Sequence, residues 1–156
     1  MPDSSSASVT LPEVLQFMQL LWTVVHGVDL RSKKMMSEIG ITGPQRLVLR
    51  VVGLSPGVSA GELASILRVH PSTLTGVLRR LASQGLLNRV GDPRDRRRAI
   101  LRLTTRGVRA NAVRRGTVER AIATALQGVS AHDQAAAKRV LERLARYLSP
   151  SEGQAR

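Results

Sequence analysis

"HPSTLTGVLRRLASQGLLNRVGDPRDRRRAILRLTTRG", residues 70–107, decides the fold. Up to Gln84 its apolar residues Leu74, Val77, Leu78 and Leu81 fall at steps of three and four, the spacing of one helical face. Pro71 suits a first helical position, because its missing N–H would have no partner there. Gly85 suits the left-handed terminator. Beyond it the period drops to two. "LLNRV" and "AILRL" read as paired strands, with Ile100 and Arg102 on one face of the second and Ala99, Leu101 and Leu103 on the other. The turn between them crowds Arg94, Arg96, Arg97 and Arg98 around Asp92 and Asp95.

The flanks complete the architecture. "SPGVSAGELASILRV" predicts a turn at Pro56-Gly57, a capping box Ser59-x-x-Glu62 and a short helix to about Leu67. A short helix, the three-residue turn "RVH" and a second capped helix make a helix-turn-helix, and the hairpin after it is a wing. Before them, "ITGPQRLVLRVVG" predicts a helix capped by Thr42, boxed by Gln45 and ended by Gly53. Residues 11–38 carry Val14, Leu15, Met18, Leu21, Trp22, Val25 and Val28 on a helical face. Thr104 or Thr105 caps a long helix expected to run to about Gln127. Ser130-x-x-Asp133 opens a last helix that Pro150 stops. The expected fold is mainly α with a small β-hairpin wing. Its parts are a disordered tail at 1–10, an N-terminal dimerisation helix at 11–38, a winged helix-turn-helix at 39–104, C-terminal dimerisation helices at 105–149 and a flexible tail at 150–156.

Composition narrows the function. The chain has 156 residues, no cysteine and a net charge of +13. Without cysteine there is no disulfide framework, no thiolate metal site and no thiol switch, which fits a reducing cytoplasm. No apolar stretch is long enough to span a bilayer, and no membrane partner is expected. The charge is uneven: residues 59–107 hold ten Lys/Arg against three Asp/Glu, whereas residues 1–58 hold five against four. Cations gathered on the helix-turn-helix and wing point to a polyanion, double-stranded DNA.

The candidate DNA contacts follow from element ends. Ser72, Thr73 and Thr75 lie near a helix N-terminus, where small hydroxyl residues, free N–H groups and the positive dipole end suit phosphates and base edges. Arg79 and Arg80 stand further along the same helix, and Ser59 opens the one before it. A hairpin tip bearing Arg94, Arg96, Arg97 and Arg98 has the width to probe a minor groove. Asp92 and Asp95 are expected to brace this tip by holding neighbouring guanidinium groups.

Residues 70–107, with "ITGPQRLVLRVV" and "SAGELASILRV" before them, resemble the MarR family of winged-helix transcriptional regulators over about residues 11–148. The Pro-Ser-Thr-x-Thr helix start, the Gly-Leu-Leu ending and the Asp-Pro-x-Asp-Arg-Arg wing closed by Leu-Thr-x-x-Gly carry the likeness. Two positions depart from it: Gly76 stands where the family often has arginine, and Arg79 where it often has an acid. The resemblance implies a homodimer whose terminal helices interlock across a two-fold axis. It would bind a pseudo-palindromic operator with half-sites about one helical turn apart. It also implies a repressor released by a small aromatic or lipophilic acid. The region for such an effector includes Met18, Trp22 and His26 on the first helix and Arg46 and Leu49 on the second, an apolar cleft with cations to meet a carboxylate. An ordinary core with Arg46 in solvent is the alternative.

Other classes find less support. No nucleophile–base pair, phosphate loop or spaced carboxylate pair is present, so no enzyme and no cofactor are expected. His26, His70 and His132 are scattered over three elements, and no metal is expected. Single-strand and RNA platforms need aromatics for stacking, and the middle third has none. A sequence-neutral, architectural DNA-binding protein is the competing reading.

Overall fold

The computed structural model describes residues 11–95 and 97–148; the expected tails, the stop at Pro150 and the tip residue Arg96 lie outside the described residues. In chain order come α1 (Glu13–Ile39), α2 (Gly43–Leu54), α3 (Ala60–Leu67), α4 (Pro71–Ser83), β1 (Leu87–Gly91), β2 (Ala99–Leu103), α5 (Thr105–Ala112), α6 (Val118–Ala125) and α7 (Ala131–Leu148). These elements fall into two compact units, one ending at Val118 and the other beginning at Glu119. The mainly helical winged architecture expected from the sequence is what the chain adopts.

Local chemistry sets most boundaries. Both capping boxes form, with Thr42 and Ser59 accepting the backbone N–H of Gln45 and Glu62 and those side chains reaching back to the cap N–H groups. Pro71 opens α4 and Gly85 takes the left-handed conformation after it, φ 66°. Ser130 caps α7, accepting the Asp133 N–H at 3.1 Å.

Gly53 does not end α2, which runs on to Leu54. A Cβ at Gly53 would come within 2.5 Å of the Asn111 amide nitrogen on α5, so a larger residue there would make that side chain move. The helix stops because Ser55 leaves helical angles (φ −128°, ψ 70°), as a residue before proline tends to.

The hairpin pairs in antiparallel register, Leu87 opposite Leu103 and Arg89 opposite Leu101. The expected alternation along β2 holds only in part, because Ile100 and Leu101 are both buried. Leu101 joins the core, and the segment before α3 adds a third edge to β2. There the Leu101 N–H donates to the Val58 carbonyl at 2.8 Å and the Gly57 N–H to the Leu101 carbonyl at 3.3 Å. That segment, read from sequence as a turn alone, also borders the other face at Ile100.

The long helix expected from Thr104 to Gln127 is broken. Thr104 caps α5 as expected, accepting the Gly107 N–H at 2.9 Å, but Val113 turns extended (φ −59°, ψ 131°) and Gly116 is left-handed (φ 75°). A new helix begins at Val118, whose N–H is accepted by the buried Met35 sulfur at 3.3 Å. The core of the first unit gathers Met35, Ile41, Val48, Leu49, Val52, Leu63, Leu74, Leu81, Leu86, Leu87 and Leu101. At its edge Gly107 lies so near the Leu86 carbonyl that any Cβ would overlap it. Gly107→Ala is therefore expected to destabilise the protein by about 1–3 kcal/mol, as overpacking does. A urea midpoint equal to that of the wild type would show that α5 simply shifts.

Candidate nucleic-acid interface

The recognition elements rest on that core through the inner face of α4, where Leu74 and Leu81 are buried. The opposite face presents Ser72, Thr73, Thr75, Arg79 and Arg80 to solvent. Neither Arg79 nor Arg80 has an acidic partner among the described residues. The hydroxyls divide. Thr75 donates to the Pro71 carbonyl at 2.8 Å and Ser72 lies 2.6 Å from the His70 ring nitrogen Nδ1, whereas Thr73 makes no hydrogen bond among the described residues. His70 is a functional neighbour that the sequence pattern does not announce. It caps α4, accepting the Ser72 N–H through Nδ1 at 3.2 Å, and histidine is not among the residues whose side chains mark an N-cap.

Ser59 differs from the other candidates. Its hydroxyl donates to the Glu62 carboxylate at 2.9 Å and accepts the Glu62 N–H at 3.3 Å, so capping α3 is the role the geometry gives it.

The wing is braced, but not as expected. Asp92 Oδ1 accepts the Arg94 backbone N–H and Asp95 Oδ1 accepts the Arg97 backbone N–H, each at 2.9 Å. The carboxylates are thus consecutive Asx turns that reach main-chain donors two residues on. Three main-chain bonds reinforce the loop, among them the Asp92 N–H to the Arg98 carbonyl at 2.8 Å. Among the described residues guanidinium bracing is confined to Arg98, whose Nε lies 3.8 Å from Asp92. The consequence matters for binding: Arg94 and Arg97 have no acidic partner among the described residues, so their charges are available. Arg96 lies outside the described residues.

Arg98 has a different task. Its Nη2 meets the Glu62 carboxylate of α3 at 2.5 Å, tying the base of the wing to the helix-turn-helix. No sequence pattern marks Glu62 as a wing partner, because 36 residues separate the two. Its carboxyl is held below the usual glutamate range, chiefly by the Ser59 N–H, then by the Ser59 hydroxyl and by Arg98. A lowered folded pKa stabilises the fold above the unfolded value and loses that contribution as pH falls through the folded one. Glu62→Gln, which keeps the capping geometry, should therefore be less stable than the wild type at neutral pH. The gap should narrow below the ordinary carboxyl pKa of about 4.3 and close as pH falls below the lowered folded value. Urea midpoints at both pH values check this, and a gap that persists in acid would exclude charge as its source.

The five expected effector residues do not share one environment. Met18, Trp22 and His26 are exposed on α1, Trp22 at 71%, whereas Leu49 is fully buried and Arg46 only 1% exposed. Arg46 does not face solvent. Its Nη1 donates to the Ala110 carbonyl at 2.6 Å and its Nη2 to the Val113 carbonyl at 2.5 Å, which occupies the carbonyls left open where α5 ends. Among the described residues no cluster of three His, Asp or Glu could hold a metal, and no helix is long and apolar enough to cross a membrane.

A helix-turn-helix with exposed hydroxyls and arginines on its second helix, followed by a hairpin with free cations at its tip, defines a winged-helix DNA-binding regulator. Comparison with known proteins carries this further. A family model described as MarR family matches residues 39–98. The HTH-type transcriptional repressor Rv2887 of Mycobacterium tuberculosis is 38% identical over 110 residues, covering 70% of this chain and 78% of the relative. Among solved structures, the PcaV transcriptional regulator of Streptomyces coelicolor in complex with its natural ligand is similar with TM-score 0.69 and 28% identity, over 88% of this chain and 97% of that one. A cysteine-to-serine mutant of MarR from E. coli complexed with operator DNA gives TM-score 0.66 and 25% identity, over 88% of this chain and 99% of that one. The chain belongs to the MarR family of DNA-binding transcriptional regulators, a family of regulators and not of enzymes.

Proposed function

We propose that the protein is a homodimeric repressor that binds a pseudo-palindromic operator in the cytoplasm and releases it when a small organic acid binds. The observation that carries the DNA reading is the pairing of two cation sets without acidic partners among the described residues, Arg79 and Arg80 on α4 and Arg94 and Arg97 on the wing. One set suits base edges in a major groove and the other a neighbouring minor groove. Ser72, Thr73 and Thr75 bring the start of α4 close to the backbone, with the helix dipole favouring phosphate. Support for a dimer comes from α1, which leaves Val14, Met18, Trp22 and Val25, all on one helical face, 46–71% exposed. A face that apolar is expected to be covered by a second copy, with residues 11–38 and 105–149 forming the dimer scaffold around the reading domain at 39–104. Sign and ligand response are supported by relatives: one is named a repressor, and another was solved with its natural ligand.

Selection of bound duplexes from a random pool tests the reading. Recovery of an inverted repeat with half-site centres about 10 base pairs apart is the expected result. Equal affinity for unrelated duplexes at fixed salt would favour the sequence-neutral alternative. A monomer in sedimentation at micromolar concentration would remove the two-fold reader.

A further inference from the structure

Gly76 stands inside α4, and the fold gives no reason for a glycine there. Its φ is not left-handed, and a Cβ built on it would meet no atom of the described residues within 4 Å. The position is exposed. Glycine inside a helix nonetheless weakens the fold relative to alanine, by about two- to fivefold in the folding equilibrium. Gly27 of α1 and Gly61 of α3 are equally open, but Gly76 differs in its company. At steps of three and four it shares a helical face with Ser72, Thr73, Arg79 and Arg80, all exposed, while Leu74 and Leu81 are buried on the other side. The bare position is the centre of the face assigned above to DNA.

We infer that Gly76 is a specificity-determining residue, a gap in the recognition face that seats the 5-methyl group of one thymine in each operator half-site. The inference rests on the regulator reading given above and adds one base pair to it. A recognition helix lies in the major groove against base edges. There each base pair presents nitrogen and oxygen donors or acceptors, and thymine adds a methyl group. Gly76 can answer only the methyl. It has no side chain, and its N–H and carbonyl fall where the helix pairs them with residues 72 and 80. A polar base edge pressed against it would lose water and gain no partner, which is unfavourable. A methyl group there loses no hydrogen bond and covers the apolar Cα.

The gap has a rim. Thr73 and Arg80 lie seven residues apart, about 10.5 Å along the helix axis, and Gly76 between them adds no bulk. A methyl can rest between them at the carbon–carbon contact distance of about 3.5–4.0 Å from the Gly76 Cα. A Cβ would stand in that place. The rim residues can engage the bases or phosphates on either side. Thr73 makes no hydrogen bond among the described residues, and neither Arg79 nor Arg80 has an acidic partner there. A glycine that the fold does not need is thus one that close approach of the helix to its ligand does need.

Gly76→Ala in the full-length protein tests this, because alanine is the better helix former. The urea midpoint should rise, whereas affinity for the operator recovered by selection should fall about tenfold or more. Affinity for unrelated duplexes, which rests on the cations, should stay within about threefold of wild type. Replacing the operator's thymines one at a time by deoxyuridine, which lacks the methyl, identifies the base. One replacement in each half-site should weaken the wild type about fourfold, the worth of one buried methyl. On that duplex Gly76→Ala should bind within about threefold of the wild type, so the two losses do not add. Equal affinity of variant and wild type for the operator overturns the inference. So does a loss that persists undiminished on every deoxyuridine duplex, or a urea midpoint that falls, which would give the glycine a task in the fold. The two readings fail separately. If the wild type selects no duplex, the regulator reading falls and takes the thymine with it. A selected operator that Gly76→Ala binds as the wild type does removes the thymine alone.

Discussion

Replacing Arg46 with alanine is expected to destabilise the protein by about 2–5 kcal/mol, the largest effect of any single substitution considered. Two effects combine. Without the buried side chain a void opens in the first unit, and the carbonyls of Ala110 and Val113 lose the guanidinium that donates to them. The Ala110 carbonyl keeps only a long bond from the Val113 N–H at 3.3 Å. Arg46→Lys should recover part of the stability, because one ammonium on a shorter reach cannot serve two carbonyls as a planar fork does. Urea denaturation at fixed protein concentration is the measurement, since any dimer coupling would otherwise enter. A destabilisation below about 1 kcal/mol would mean that water or a neighbouring N–H takes over at the end of α5.

The second large effect concerns affinity. Removing Arg94 and Arg97 together should weaken operator binding on the order of 10–100-fold at moderate salt. It should also flatten the logarithmic salt dependence by about 0.9 for each phosphate that is no longer neutralised. Both arginines are free of acids among the described residues, and both have their main chain fixed by an Asx turn. In the proposed complex their charge therefore reaches DNA from a loop whose main chain is already held. Asp95→Ala provides the control. It makes the protein more cationic yet removes the bond that orders Arg97, so affinity should fall. A rise would show that net charge outweighs order at this tip. An unchanged salt slope in the double variant would show that the wing does not touch phosphate.

What could be read from the sequence was what neighbours determine. Thr42 with Gln45, Ser59 with Glu62 and Pro71 with Gly85 each act within a few residues or along one helix, and each stands where the pattern put it. The misreadings share a cause, which is distance along the chain. Gly53 looks like a stop signal until Asn111 is known to lie against it. Arg46 reads as a cation for an acid or for solvent, because its carbonyl partners are 64 and 67 residues away. The break after α5 had a local sign in Gly116, but what fills the open carbonyls did not. At the wing, the spacing of Asp92 and Asp95 announced bracing. It did not say that the backbone, two residues on, would be braced in place of the guanidinium groups.

One arginine ties the base of the hairpin to α3, and others are left free at its tip. Arg98 grips Glu62 at the foot, while Arg94 and Arg97 extend beyond the bonds that shape the loop. Posture and vocabulary are thus assigned to separate residues. Exchanging the tip for another sequence of equal length can change which groove it prefers without altering the angle at which it is carried. Exchanging Arg98 would remove that side-chain tie to Glu62, leaving the main-chain bonds from β2 to Gly57 and Val58 to set the hairpin's angle. A search for altered operator preference has more room at 94 and 97 than at 98.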